Sequence, residues 1–388
     1  MLRPRALCEG RELNGSHHGR HKGYIGGIAA HPFGCAQGRL LQRTQGWGTL
    51  SYGDAGEHRS EGGPSTCQLD NDAILNHFAA SRLGTPFSPA PCGRLGSLLG
   101  FLNGMIANPE FQNQPKMFWA YIRTLSQHLG STVRGEGQIK IPTLAEMCTG
   151  LGELGLDPRK IAAGEEKPTD LGAELHKYFG YRAEVLNGFV ESQLMNAEQA
   201  QALYDELRKK SKYECPTPMN KQKGEKAKPA YFTGIVNTLI ASSTKGAECN
   251  YSPMKLTTVT RDGAAVRTLS RRIDGAFPGV VNPVALWEIK EYYYTTTFGS
   301  RIADGVYETL VDGMELEELR EREGIDIKHY LMVDAHETWW ELGGRPYLCR
   351  MVDMLHMRYV DEILFGKEVV DRLPILAQEW MRLVAERG

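Results

Sequence analysis

An α/β (α+β) fold is what this sequence predicts, and three features predict it: helical periodicity from about 70 to 210, short β-rich segments after Pro229, and renewed helical periodicity at the C-terminus. The expected architecture is an αβββαβ core with a mixed sheet covered on its faces, preceded by an all-helical domain.

Residues 1–69 carry polar, glycine-rich runs such as NGSHHGRHKG and GDAGEHRSEGGPST without a sustained period, so disorder is expected over most of this segment. His17, His18 and His21 are read as part of a solvated tail rather than as a metal site. From 70 to 210, AILNHFAASRL, FWAYIRTLSQHL, TLAEMCTGLGEL, LGAELHKYF, YRAEVLNGFVESQL and NAEQAQALYDELRKK place apolar residues at i, i+3 and i+4. These predict a helical domain. GSTVRGEGQIKIP, at 130–142, reads as a hairpin or a loop. The stretch 211–229 is expected to be a basic linker, since between 207 and 229 eight Lys or Arg stand against only Glu214 and Glu225. Two readings stay open there: a solvated connection, or an arm that contacts phosphates through Lys221, Lys223, Lys226 and Lys228.

After Pro229 the period changes. AYFTGIVNTLIASSTKG reads as a helix, MKLTTVTRDG and AAVRTLSRRIDGAF as strands around an Arg261-Asp262-Gly263 turn, and PVALWEIKEYYY as a third strand. SRIADGVYETLVDGMELEELRERE is an amphipathic helix, with Ile302, Val306, Leu310, Met314 and Leu319 on one side and eight acidic residues mostly on the other. IKHYLMVDAHETWW is expected as a strand, and PYLCRMVDMLHMRYVDEILFG and LPILAQEWMRLVAER as closing helices. A second domain of mixed strands and helices is thus placed at 230–388.

The composition narrows the function classes. Hydrophobic residues at 41% and charged residues at 24% fit a water-exposed globular chain, and a formal charge of −2 excludes a globally basic nucleic-acid coat. Any polyanion would be met by a local patch. Eight cysteines are scattered with no CxxC pair, which argues against a zinc ribbon or a disulfide scaffold. No stretch approaches the roughly 18 continuous apolar residues of a membrane span, and MLRPRALCEG lacks a signal-peptide core. A cytoplasmic location without membrane partners is expected.

The chemistry concentrates in RRIDGAFPGVVNPVALWEIKEYYYTTTFGSR, 271–301. Side chains alternate across a strand, so Glu288, Lys290, Tyr292 and Tyr294 share one face and Trp287, Ile289 and Glu291 the other. If the preceding strand runs antiparallel through Asp274, that aspartate meets Glu288 across the ladder. Two carboxylates beside an ammonium suit a hard divalent ion such as Mg²⁺, with the lysine directed to a water or a phosphate oxygen. Tyr292 and Tyr294 are candidates to line a substrate cleft, although packed aromatics are the more frequent case. Arg301, near a helix start, is a candidate phosphate contact.

Ile273-Asp274-Gly275, Trp287-Glu288-Ile289-Lys290 and the αβββαβ order around them resemble the PD-(D/E)xK nuclease superfamily, with a restriction-endonuclease-like core. The likeness covers 230–340, and Ile273 stands where that motif usually has proline. The resemblance implies a type II restriction endonuclease-like enzyme in which Asp274 and Glu288 hold Mg²⁺ with the Ile289 carbonyl, while Lys290 orients the attacking water. It also implies a further acidic ligand from the first helix, for which Glu248 is the candidate. Double-stranded DNA would be the substrate and a homodimer the cutting unit. A repair nuclease of the same fold and a catalytically silent DNA-binding protein remain alternatives. Other motifs fail: GSTVRGEG continues without the Lys-Ser or Lys-Thr of a phosphate loop, HETWW lacks the second histidine of HExxH, and there is no GxSxG elbow.

Overall fold

In the computed structural model, the residues described are 105–387 except 134–136, 165–166 and 221–227. The expectations for residues 1–69, for the helix at AILNHFAASRL and for Lys221, Lys223 and Lys226 lie outside them.

The chain begins with β1 (Met105–Ile106) and continues through α1 (Lys116–Leu129) and α2 (Leu144–Glu153). α3 (Asp170–Glu184) runs on through a π-helical turn, Val185–Val190, and α4 (Ala197–Lys210) follows. Local chemistry starts these helices. Thr143 with Glu146, and Asn196 with Gln199, form capping boxes that satisfy otherwise orphaned N–H groups at the starts of α2 and α4.

Next come α5 (Tyr231–Ser243), the hairpin β2 (Thr258–Arg261) and β3 (Ala264–Thr268), β4 (Gly275–Phe277) and β5 (Ala285–Glu291). α6 (Ser300–Glu323), β6 (Lys328–Asp334), α7 (Arg345–His356), β7 (Glu362–Phe365) and α8 (Glu368–Arg387) complete the order. The main sheet is mixed, in the order β1-β7-β6-β5-β4, with β5, β6 and β7 parallel and the two edge strands antiparallel. β2 and β3 form a separate two-stranded sheet whose Asp262-Gly263 turn has φ of 52° and 80°, the left-handed pair that such a turn requires.

β5 is sandwiched. On one face Trp287 stacks on Trp380 of α8, with ring centroids 5.4 Å apart, and Glu291 accepts hydrogen bonds from Thr233 at the start of α5. On the other, Leu286 packs with Leu316 and Leu319 of α6. The two faces therefore follow the period of two expected from the sequence. Gly275 is needed opposite Trp287, since a Cβ there would lie 2.0 Å from the indole.

Several elements differ from expectation. The segment AAVRTLSRRIDGAF is two strands in two different sheets, because it leaves β3 at Thr268 and rejoins the main sheet only at Gly275. YYY is not strand: pairing with β6 stops at Glu291 opposite Asp334. EILF is a buried parallel strand rather than the end of a helix, and ETWWE is a π-helical turn rather than strand. Residues from α3 and α4 share one core with α5, α8 and the sheet, β1 is the edge strand of that sheet, and a second core under α1, α2 and α3 adjoins it. No helix among the described residues is long and apolar enough to cross a membrane.

Candidate active site

Asp274, Glu288 and Lys290 come together at the junction of β4 and β5. The loop before β4 turns so that the Asp274 N–H donates to Glu288 Oε1 at 3.2 Å, and Asp274 Oδ2 accepts from the Ile289 N–H at 2.9 Å. Lys290 Nζ donates to Glu288 Oε2 at 2.7 Å. Glu288 is fully buried and Lys290 nearly so, while Asp274 is half-buried, which leaves one open side. In an extended strand a residue's N–H and C=O point to the same edge, so the Ile289 carbonyl faces Asp274 as well, beyond the last β4–β5 pair.

The expected extra acid is not Glu248. That residue is exposed, and the antiparallel bridge between Asn250 and Ala276 carries it toward Pro278, away from Asp274. The additional carboxylates are Glu308 and Asp312 of α6. They lie four residues apart, on one helical face with Gly305, where an added Cβ would meet the Tyr292 hydroxyl at 3.0 Å and Lys290 Cδ at 3.5 Å. The close approach of α6 to β5 therefore delivers them. In sequence, the alignment of Gly305, Glu308 and Asp312 was the available signal, and it was submerged among eight acidic residues on one helix.

Arg271 sits among these carboxylates. Its guanidinium reaches Glu288 Oε1 at 2.9 Å, Asp312 Oδ2 at 2.5 Å and Glu308 Oε2 at 3.0 Å. Burial alone would raise the Glu288 carboxyl, but Lys290 and Arg271 outweigh it and hold the group below the usual range. Burial would likewise strip Lys290 of its proton, and the charges of Glu288 and Asp274 keep it on. Asp312 shares only Arg271, so burial and the neighbouring Glu288 push it up to about 7. Its Oδ1 has no hydrogen-bond partner although the side chain is fully buried.

The donor set is all oxygen, as a hard divalent cation requires, and four carboxylates face two cationic side chains. Among the described residues no three His, Cys, Asp or Glu side chains converge into a ready-made cage. Mg²⁺ held by one or two carboxylates, waters and substrate oxygens does not need one. Asp274 and Glu288 suit that kind of site, with the orphaned Asp312 oxygen on the helix packed against it.

Of the remaining predicted residues, Tyr292 and Arg301 lie beside it. The partly buried Tyr292 ring packs 5.7 Å from Trp339, with its hydroxyl toward Gly305 of α6. Tyr294 does not share the Glu288 face, since the strand has ended; Lys228 lies over its ring at 5.0 Å. Arg301 is exposed in the first turn of α6. Sequence reading missed an adjoining ridge in which Phe298 stacks on Tyr347 at 4.9 Å and Arg350 lies over both Tyr347 and Tyr307.

Two family models match the chain, and both are described only as domains of unknown function. One (DUF7687) covers residues 195–380 and the other (DUF7690) residues 105–189. The boundary between them falls after the π-helical turn, so α4 goes with the sheet, consistent with Gly234 of α5 lying against the Tyr204 ring of α4. The second core, Phe111 to Phe179, lies wholly inside the first-half match. No curated protein and no solved structure matches the chain.

Proposed function

We propose that this protein is a Mg²⁺-dependent endodeoxyribonuclease with a restriction-endonuclease-like core of the PD-(D/E)xK kind, most simply a type II restriction enzyme cutting both strands as a homodimer. The observation that carries this reading is the convergence of Asp274, Glu288 and Lys290 at the end of a buried strand pair, with further carboxylates delivered by α6.

Asp274, Glu288 and the Ile289 carbonyl would hold Mg²⁺, which supplies charge stabilisation at the phosphoryl oxygens and a more acidic water. Lys290, kept protonated by Glu288 and Asp274, fixes a positive charge beside the reacting phosphate and orients the water by hydrogen bonding. Because Lys290 is nearly buried, that charge acts in a weakly screened setting. Tyr292 and Arg301 lie beside the site, where phosphate contacts would set register without reading bases.

One observation favours a second reading, a catalytically silent DNA-binding protein: Arg271 already neutralises the carboxylates a metal would use. Incubation of supercoiled plasmids of unrelated sequence with Mg²⁺ or with EDTA separates these readings. Mg²⁺-dependent discrete fragments are the expected result. Smears or structure-dependent nicks would point to a repair nuclease of the same fold, and intact plasmid with retained DNA binding would establish the silent reading.

A further inference from the structure

The geometry points to Arg271 as a built-in counter-cation that closes the divalent-ion position, and to Asp312 as a ligand that passes from Arg271 to the ion when the guanidinium leaves. This rests on the metal-dependent reading above and adds to it a competitor and a further ligand.

Two arrangements carry it. First, one guanidinium nitrogen bridges Glu288 and Asp312, at 2.9 and 2.5 Å, so a cation already occupies the point where carboxylates from β5 and α6 meet. Glu288 does not need Arg271 for neutrality, because Lys290 contacts it at 2.7 Å. Second, Asp312 Oδ1 is buried without a partner, although Arg271 engages its other oxygen. Arg271 therefore satisfies this carboxylate only in part, and its free Oδ1 is a hard oxygen donor of the kind a small divalent ion takes.

The moving part is also identifiable. Glu288 is fixed in a strand and Asp312 in a long helix, and both are fully buried. Arg271 lies in the loop between β3 and β4, with its side chain a quarter exposed. Its NH2 reaches outward to Glu308, which is about half exposed, so the guanidinium has a path to the surface. Once outside, it faces the side from which a phosphodiester would approach, where its fork suits two phosphate oxygens.

Calorimetric titration of the full chain with Mn²⁺ alone, without nucleic acid, tests this. Removing the competitor in Arg271→Ala should tighten Mn²⁺ binding about tenfold or more over wild type, as expected for loss of a unit charge beside the ion. Arg271→Gln, which removes the charge but keeps a polar, hydrogen-bonding side chain, should tighten it likewise and covers the case in which the alanine variant fails to fold. Asp312→Asn, in the wild-type or the Arg271→Gln background, should weaken binding by about tenfold. Wild-type binding that neither Arg271 variant tightens would overturn the inference and leave the nuclease reading standing. Tightening by the Arg271 variants with no effect of Asp312→Asn would overturn the ligand role. No Mn²⁺ binding by any of the proteins would overturn the inference and the metal-dependent reading together.

Discussion

Arg182 and Arg271 are both gripped by carboxylates, yet their surroundings differ. Arg182 meets a single acid: its NH1 lies 3.0 and 3.1 Å from the two oxygens of Asp353, and Tyr178 donates its hydroxyl to the same carboxylate at 2.7 Å. Its NH2 reaches Ser126, the Phe179 ring covers it at 5.0 Å, and the pair is closed off from water. Charge is matched one to one and there is no entrance. At Arg271 several carboxylates meet fewer cations and one side is open; each cluster leaves one buried polar atom without a partner, Asp312 Oδ1 here and Arg182 Nε there. A matched, enclosed pair holds helices together; an unmatched, accessible cluster retains a capacity for a further cation.

The largest contrast should appear in stability. Removing one partner from an enclosed pair strands the other charge, so Asp353→Ala should cost roughly 3–5 kcal/mol, read as a large fall in the denaturation midpoint. Folded Asp353→Ala at low temperature should still cleave, because the pair lies outside the site. A midpoint close to that of wild type would erase the distinction between the two arginines.

A buried carboxylate with no bonded cation among the described residues extends the comparison. Glu368, at the start of α8, accepts from the Phe365 N–H at 2.9 Å, and burial pushes its carboxyl up to about 8 from 4.5. A raised folded-state value means that its stabilisation is complete below about 4.5 and lost as pH rises through about 8. Glu368→Gln should therefore gain on wild type as pH rises across this window, by on the order of 1–3 kcal/mol at the alkaline end. Thermal midpoints of the two proteins that stay parallel from pH 5 to pH 9 would contradict the assignment.

The smallest effect is expected at Asp312. With its carboxyl pushed up to about 7 beside Glu288, replacement by a neutral isostere should change apoprotein stability by no more than about 1 kcal/mol. Asp312→Asn and Asp353→Asn thus form a direct pair, the first nearly silent in denaturant and the second strongly destabilising. Equal losses would mean that both acids serve structure.

What was legible in the sequence follows the same division between local and long-range determinants. The strand period placed Glu288 and Lys290 on one face, and the antiparallel turn back to Asp274 followed from the loop between them, so this part of the site could be read locally. The packing face of α6 was legible only in part: Ile302, Val306 and Leu319 are buried as expected, but Met314 is exposed and the buried face runs instead through Gly305, Thr309, Asp312 and Leu316. That depends on Gly305 and on Gly313, where a Cβ would lie 2.3 Å from the Tyr359 carbonyl oxygen, so Glu308 and Asp312 were lost among the other acids of that helix. β7 was read as helix because four buried apolar-rich residues carry no distinctive period. The end of β5 was placed too late, since it is set by where β6 stops pairing and not by the β-favouring tyrosines.

The most direct test of the nuclease reading is plasmid cleavage in Mg²⁺ by wild type and by Lys290→Met, with folding of both checked by circular dichroism. Methionine keeps most of the lysine's buried length and removes only the ammonium. The expected result is cleavage by wild type that EDTA abolishes, and a loss of at least about a hundredfold in Lys290→Met at unchanged fold. Cleavage by Lys290→Met at the wild-type rate, or wild-type cleavage that persists in EDTA, would contradict it.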